Sequence, residues 1–172
     1  MATRITKNQN ANEAALRQFL EKVVINVGVG RLSTQPNFEE KALVRVKADL
    51  ALLSGQAPHV RRAKKSIAGF KIREGQIIGV RATLRGRKMV DFFERLVMIV
   101  LPRVRDFRGI DLKAVDAGGA LNIGLREQLV FSEINPEEAT LIFPLQVNIV
   151  PKLKNRKAAL DMYRHFGMPL KQ

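Results

Sequence analysis

Ten lysine and arginine side chains lie between Ala57 and Lys88, and a single acid, Glu74, accompanies them. They are Arg61, Arg62, Lys64, Lys65, Lys71, Arg73, Arg81, Arg85, Arg87 and Lys88. Ten positive charges and one negative charge give this segment +9 of the net +14 carried by all 172 residues. Exposed faces normally mix both signs, so this excess favours binding to a polyanion. Nucleic acid is the first candidate partner, and an anionic membrane surface is the second.

The sequence gives little support to catalysis, metal binding or cofactor binding. The absence of cysteine excludes disulfides and thiolate-ligated zinc. The two histidines, His59 and His165, lie far apart in the sequence. The run Gly28-Val29-Gly30 resembles the start of a dinucleotide fingerprint, but Ser33 stands where the third glycine belongs, so a tight turn is the better interpretation. We therefore expect no enzyme, cofactor or metal, and an RNA-modifying enzyme with a cofactor at this turn stays as the rival hypothesis.

Three short polar side chains sit where they can complement the positive charge. Asn26 is the one polar side chain in the β-branched run Val23–Val29, and Thr83 faces away from the apolar side of the alternating run Ile77–Arg85. Gln56 follows a predicted helix. Such side chains can bond to 2′-hydroxyls, phosphates and base edges of folded RNA. Because aromatic residues make up only 6% of the chain, we expect recognition of RNA shape rather than stacking on single strands.

The elements that must position these residues alternate between helices and strands. The first helix after the opening strand should run from Asn37 to Leu53, with Asn37 and Glu40 as a capping box and Gly55 as its stop. Further helices are predicted over 13–21, 87–101 and 155–166, and strands over 23–29, 57–63, 77–85, 121–125 and 141–150. This pattern predicts one α+β domain over residues 1–172, with residues 1–12 flexible. Its mostly antiparallel sheet should have helices on one side and the other face free for a ligand.

Seven runs of residues resemble the universal protein five of the large ribosomal subunit, of bacterial or organellar type, and come in family order from Val23 to Leu170. They are Val24–Gly30, Ser54–Pro58, Ala63–Gly75, Ala82–Gly86, Phe92–Leu96, Pro102–Gly109 and Gly124–Gln128.

The resemblance implies a structural constituent of the large subunit, in its central protuberance, with the open sheet face on RNA. The implied partners are 5S rRNA, the 23S-type rRNA, P-site tRNA, neighbouring large-subunit proteins and, across a bridge, a small-subunit head protein. The implied place is a cytoplasmic or organellar ribosome, without a membrane.

The resemblance also implies site residues. Contacts to 5S rRNA fall on Asn26, Gln56 and Thr83. We add Arg81 and Arg85 to this site, because the alternation of Ile77–Arg85 places them on the same outward face as Thr83. The loop 64–76 matches the segment that approaches tRNA, and its phosphate-binding side chains would be Lys64, Lys65, Lys71 and Arg73.

Two features depart from the family pattern. Only about twenty residues precede the first strand, where the family has a longer helix, and Gly118-Gly119-Ala120 replaces more polar residues. The inter-subunit bridge is therefore not assigned to residues. A general basic RNA chaperone remains a further alternative.

Overall fold

A computed structural model describes residues 12–30, 32–34 and 37–171, and its elements form an α+β fold with a five-stranded antiparallel sheet. The strand order is β2-β3-β1-β5-β4. The strands are β1 (Leu20–Gly28), β2 (His59–Arg62), β3 (Ile77–Leu84), β4 (Leu121–Leu125) and β5 (Leu145–Pro151). The helices are α1 (12–19), α2 (Leu43–Ser54), α3 (Arg87–Arg95) and α4 (Arg156–His165). The predicted fold class is confirmed.

Strand β1 follows directly from α1 and starts three residues earlier than predicted. Its alternation is as the sequence indicates, because Val23, Ile25 and Val27 are buried and Asn26 between them is half-buried. One face of the strand therefore belongs to the core, and the other keeps a polar side chain within reach of solvent.

Helix α2 ends as predicted but begins differently. Gly55 adopts the left-handed conformation at φ 64°, and its N–H donates to the Ala51 carbonyl at 2.8 Å. The predicted capping box is wrong, because Asn37 is itself left-handed at φ 58° and its side chain makes no capping bond. A π-helical turn, Phe38–Ala42, precedes the α-helix instead. Phe38 is buried, which gives this wider turn an apolar anchor.

Strand β5 is shorter than predicted, because residues 141–144 are not part of the sheet. Instead, the fully buried side-chain amide of Gln128 forms hydrogen bonds with the backbone of this segment. It donates to the Leu141 carbonyl at 2.6 Å and accepts from the Phe143 N–H at 2.9 Å. One side chain thus replaces a neighbouring strand, and Pro144, which has no N–H, separates the segment from β5.

Over the predicted helix 87–101 the spacing of Met89, Phe93, Leu96, Val97 and Val100 indicates an apolar stripe, and all of these except the half-buried Val97 are buried. From residue 96 the helix widens into a π-helical stretch, Leu96–Val100, before a last α-helical segment, Leu101–Arg103.

The chain divides into two compact units. Unit 1 comprises Met1–Val23, Leu84–Ile123 and Asn148–Gln172, and unit 2 comprises Val24–Thr83 and Gly124–Val147. Four aromatic rings contact one another in unit 1, and α2 buries an apolar stripe in unit 2. The rings are those of Phe19, Phe93, Tyr163 and Phe166. A single domain over the whole chain stays a prediction, and residues 1–11 of the segment predicted to be flexible lie outside the described residues.

Candidate nucleic-acid interface

Two of the predicted site residues are joined by a hydrogen bond in unit 2. The Gln56 side-chain Nε2 donates to the Thr83 carbonyl oxygen at 2.9 Å, across 27 positions of sequence. Because only the NH₂ group can donate to a carbonyl, this bond fixes which way the amide points. Ser54, at the end of α2, donates to the Leu50 carbonyl at 2.6 Å and lies 3.0 Å from the Gln56 carbonyl oxygen. The turn after α2 is therefore tied to β3.

The other predicted 5S contacts are distributed over three places. Asn26 is half-buried on β1, the neighbour of β3 in the sheet. Arg81 is half-buried on β3, opposite His59 of β2. Arg85 follows the last residue of β3, is exposed, and belongs to unit 1. Four of the five residues thus lie in unit 2, and Arg85 does not.

The predicted tRNA loop is a closed hairpin, which we call the cationic hairpin (residues 63–76). At its base the Ala63 N–H donates to the Gln76 carbonyl at 2.8 Å, and the Gly75 N–H donates to the Ala63 carbonyl at 3.0 Å. Further out, Ile67 and Ile72 exchange two backbone bonds of 2.9 and 3.1 Å. These bonds give the loop a defined shape, and its tip is the short 3₁₀ turn Ala68–Phe70.

The Gln76 side chain fastens the base of the hairpin to the turn after β1. Its Oε1 accepts from the Arg73 N–H at 2.9 Å, and its Nε2 donates to Ser33 Oγ at 2.7 Å. Ser33 Oγ in turn donates to the Gly30 carbonyl at 2.8 Å. The glycine turn that resembles a dinucleotide fingerprint therefore anchors the hairpin.

The four predicted phosphate-binding side chains of the hairpin are all exposed. They are Lys64, Lys65, Lys71 and Arg73. Within the described ranges no ion pair joins any of them to an acid. Lys71 is left-handed at φ 53°, where it closes the tip. Their charges are thus available to an anionic partner.

Sequence reasoning missed an aromatic ring at the hairpin tip. Phe70 is 77% exposed, and Ile67 beside it is 47% exposed. The low aromatic content argued against stacking, yet one exposed ring suffices for one base. The signal was present in the sequence, since an aromatic residue in a run of lysines and glycines has no apolar stripe to join.

The described part of the chain offers little to other functions. It holds no cluster of three or more histidine, aspartate or glutamate side chains suited to a metal ion. Among the same residues, no helix has both the length and the apolar character needed to cross a membrane.

Comparison with known proteins assigns the family. Residues 18–73 match the family model for ribosomal protein L5, and residues 77–170 match the model for the C-terminus of the same ribosomal protein family. The large ribosomal subunit protein uL5 of Syntrophomonas wolfei is 44% identical over 152 residues, covering 88% of this chain and 83% of that protein. This chain belongs to the uL5 family.

Other uL5 proteins match to a similar extent. That of Halothermothrix orenii is 44% identical over 153 residues, covering 89% of this chain and 83% of its own length. That of Leptospira biflexa is 43% identical over 150 residues, with 87% and 80% covered. As a uL5 protein, the chain is a structural component of the large ribosomal subunit that associates with rRNA, and not an enzyme. The predicted family and the non-enzymatic function are confirmed, and the rival RNA-modifying enzyme is set aside.

Proposed function

We propose that this uL5 protein binds 5S rRNA in the central protuberance through Asn26, Gln56, Thr83 and Arg81, with Arg85 contributing charge. The two strands that carry Asn26 and Thr83 are neighbours in the sheet, and both side chains are half-buried. A half-buried polar side chain has lost part of its freedom on folding, so it contacts RNA at a lower entropic cost than a long flexible one.

The bond from Gln56 to the Thr83 carbonyl carries this proposal. Because the amide NH₂ points to β3, the Gln56 Oε1 is the part of the amide left to accept a bond. The 2′-hydroxyls of RNA are donors as well as acceptors, and DNA lacks them. A fixed acceptor beside Thr83 therefore suits recognition of a folded RNA.

The cationic hairpin is the second part of the proposed function. Lys64, Lys65, Lys71 and Arg73 would meet phosphates of P-site tRNA, and the Phe70 ring would stack on an exposed base. The closed hydrogen bonding of the hairpin supports this, because a preformed loop orders fewer residues on binding. Contacts to the 23S-type rRNA, to neighbouring proteins and to a small-subunit head protein complete the proposal, without assigned residues.

Replacement of Asn26 or Thr83 tests the 5S site. We expect Asn26→Ala and Thr83→Ala each to weaken 5S rRNA binding about tenfold, since a lost hydrogen bond costs about 1.4 kcal/mol. Thr83→Ala keeps the backbone carbonyl that Gln56 bonds to, so the fold should be unchanged. A filter-binding titration measures the affinity, and circular dichroism measures the fold.

Thr140→Ala is the matched control, because Thr140 is an exposed threonine in the same unit. It should bind 5S rRNA as the native chain does. Native affinity in both Asn26→Ala and Thr83→Ala would refute the proposed site.

A further inference from the structure

A second concentration of positive charge lies outside the segment that dominates the sequence. The connection from β5 to α4 and the first two residues of α4 read Lys152-Leu153-Lys154-Asn155-Arg156-Lys157, with four cations and no acid. All six residues are exposed. They belong to unit 1, whereas the hairpin belongs to unit 2. None of them enters the proposed 5S or tRNA contacts.

The backbone of this connection is held at both ends. The Lys152 N–H donates to the Phe19 carbonyl at 2.8 Å. At the other end the Asn155 side chain caps α4, accepting from the N–H groups of Lys157 at 3.0 Å and Ala158 at 3.3 Å. The Arg156 guanidinium donates to the carbonyls of Val115 and Leu112 at 3.1 and 2.9 Å. The backbone that carries these four cations is therefore held in a defined conformation.

The positive charge here is not balanced by acids. Among the described residues, the side chains of Lys154 and Lys157 form neither a hydrogen bond nor an ion pair. Glu21, whose charge interacts with that of Lys154, already bonds Lys22 at 2.9 Å. That bond, and then the charges of Lys22, Arg85 and Lys154, lower the pKa of Glu21. The charges of several cations thus act on one carboxylate, and like charges repel one another unless an anion binds.

We propose that Lys152, Lys154, Arg156 and Lys157 form a second basic surface that binds the phosphate backbone of helical RNA. Helical RNA suits it because the surface holds no aromatic ring for a splayed base, its one apolar side chain being Leu153 at 48% exposure. Arg156 and Lys152, which also bond backbone carbonyls, keep further N–H donors for phosphate. The chemistry is shared by 5S rRNA and the large rRNA, and the experiment separates them.

The test compares Lys154→Gln/Lys157→Gln with a control, Lys47→Gln/Lys171→Gln, which removes two exposed lysines and the same net charge elsewhere. Binding of the full chain to 5S rRNA and, separately, to full-length large-subunit rRNA is titrated at several salt concentrations. Two lost phosphate contacts should reduce the slope of log affinity against log salt by about 1.4–1.8. We expect the slope to fall for one of the two RNAs, which identifies that RNA as the partner of the second basic surface.

Two results would overturn the second basic surface. One is a native slope with both RNAs, and the other is an equal reduction in the control, which would indicate net charge alone. Neither depends on the 5S site, because Asn26→Ala and Thr83→Ala should leave this slope unchanged whether or not they weaken 5S binding.

Discussion

Three glutamine side chains form hydrogen bonds with backbone groups elsewhere in the chain. Gln56 ties a turn to β3, Gln76 fastens the hairpin base, and Gln128 stands in for a strand. A neutral amide offers a donor and an acceptor without adding charge. In a chain with net charge +14, such bonds stabilise the fold where further cations would repel one another.

Asp49 provides a test at the residue scale. It is buried on α2, where Arg45 lies 3.0 Å away and one carboxylate oxygen has no hydrogen-bond partner among the described residues. Burial raises the pKa of Asp49, and the positive charge of Arg45 acts in the opposite direction. Because the folded pKa exceeds the unfolded value of about 3.9, stability is lost as pH rises through the window above that value.

Asp49→Asn removes this titration. The free energy of unfolding of the variant, relative to that of the native chain, should therefore be higher at pH 6 than at pH 3.5. Urea unfolding at both pH values measures the difference. If the free energies of unfolding of the variant and the native chain differ by the same amount at pH 3.5 and at pH 6, the Asp49 carboxylate does not titrate as the structure indicates.

At the scale of elements, the turn before β4 depends on a glycine. Gly119 is left-handed at φ 84°, and an added Cβ would lie 2.8 Å from Ala159 Cβ and 3.3 Å from Pro151 Cγ. Gly119→Ala should cost about 2–5 kcal/mol, since backbone strain adds to overpacking. Gly55→Ala is the control, because Gly55 is also left-handed but has open space around it. Gly119→Ala should lower the melting temperature more than Gly55→Ala does. Equal losses in the two variants would show that packing at Gly119 is unimportant.

The cationic hairpin is tested as an element by its salt dependence. Lys65→Gln/Arg73→Gln should reduce the slope of log affinity against log salt for tRNA binding, by about 0.7–0.9 per lost phosphate contact. Phe70→Ala should instead weaken binding with little change of slope, because stacking releases few ions. An unaltered slope in the double variant would argue against phosphate contacts at the hairpin.

The sequence predicts those elements whose signals are local. Alternation identifies β1, and Gly55 marks the end of α2, because both follow from neighbouring residues. The predicted start of α2 is wrong, since Asn37 tolerates a left-handed backbone as readily as a capping position. The predicted extent of β5 is wrong because the partner of residues 141–143, the Gln128 amide, lies 13 to 15 positions away. The same holds for the candidate site, where alternation predicts the face of β3 on which Thr83 lies but not the bond from Gln56 to the Thr83 carbonyl.

At the scale of the whole molecule, the sequence contains two concentrations of positive charge. The sequence count emphasises residues 57–88, whereas residues 152–157 carry four cations within six positions. Charge alone attracts any RNA, and its contribution falls with salt. Under the proposed function, selectivity for one RNA would therefore come from the short polar residues Asn26, Gln56 and Thr83.

A competition titration tests this selectivity directly. Labelled 5S rRNA bound to the full chain is challenged with unlabelled 5S rRNA or with a folded non-ribosomal RNA of similar length, at a fixed salt concentration near physiological. We predict that 5S rRNA displaces the label at a concentration about a thousandfold lower, the lower end of what specific nucleic-acid recognition gives. Equal displacement by both RNAs would contradict the assignment and indicate a general basic RNA chaperone.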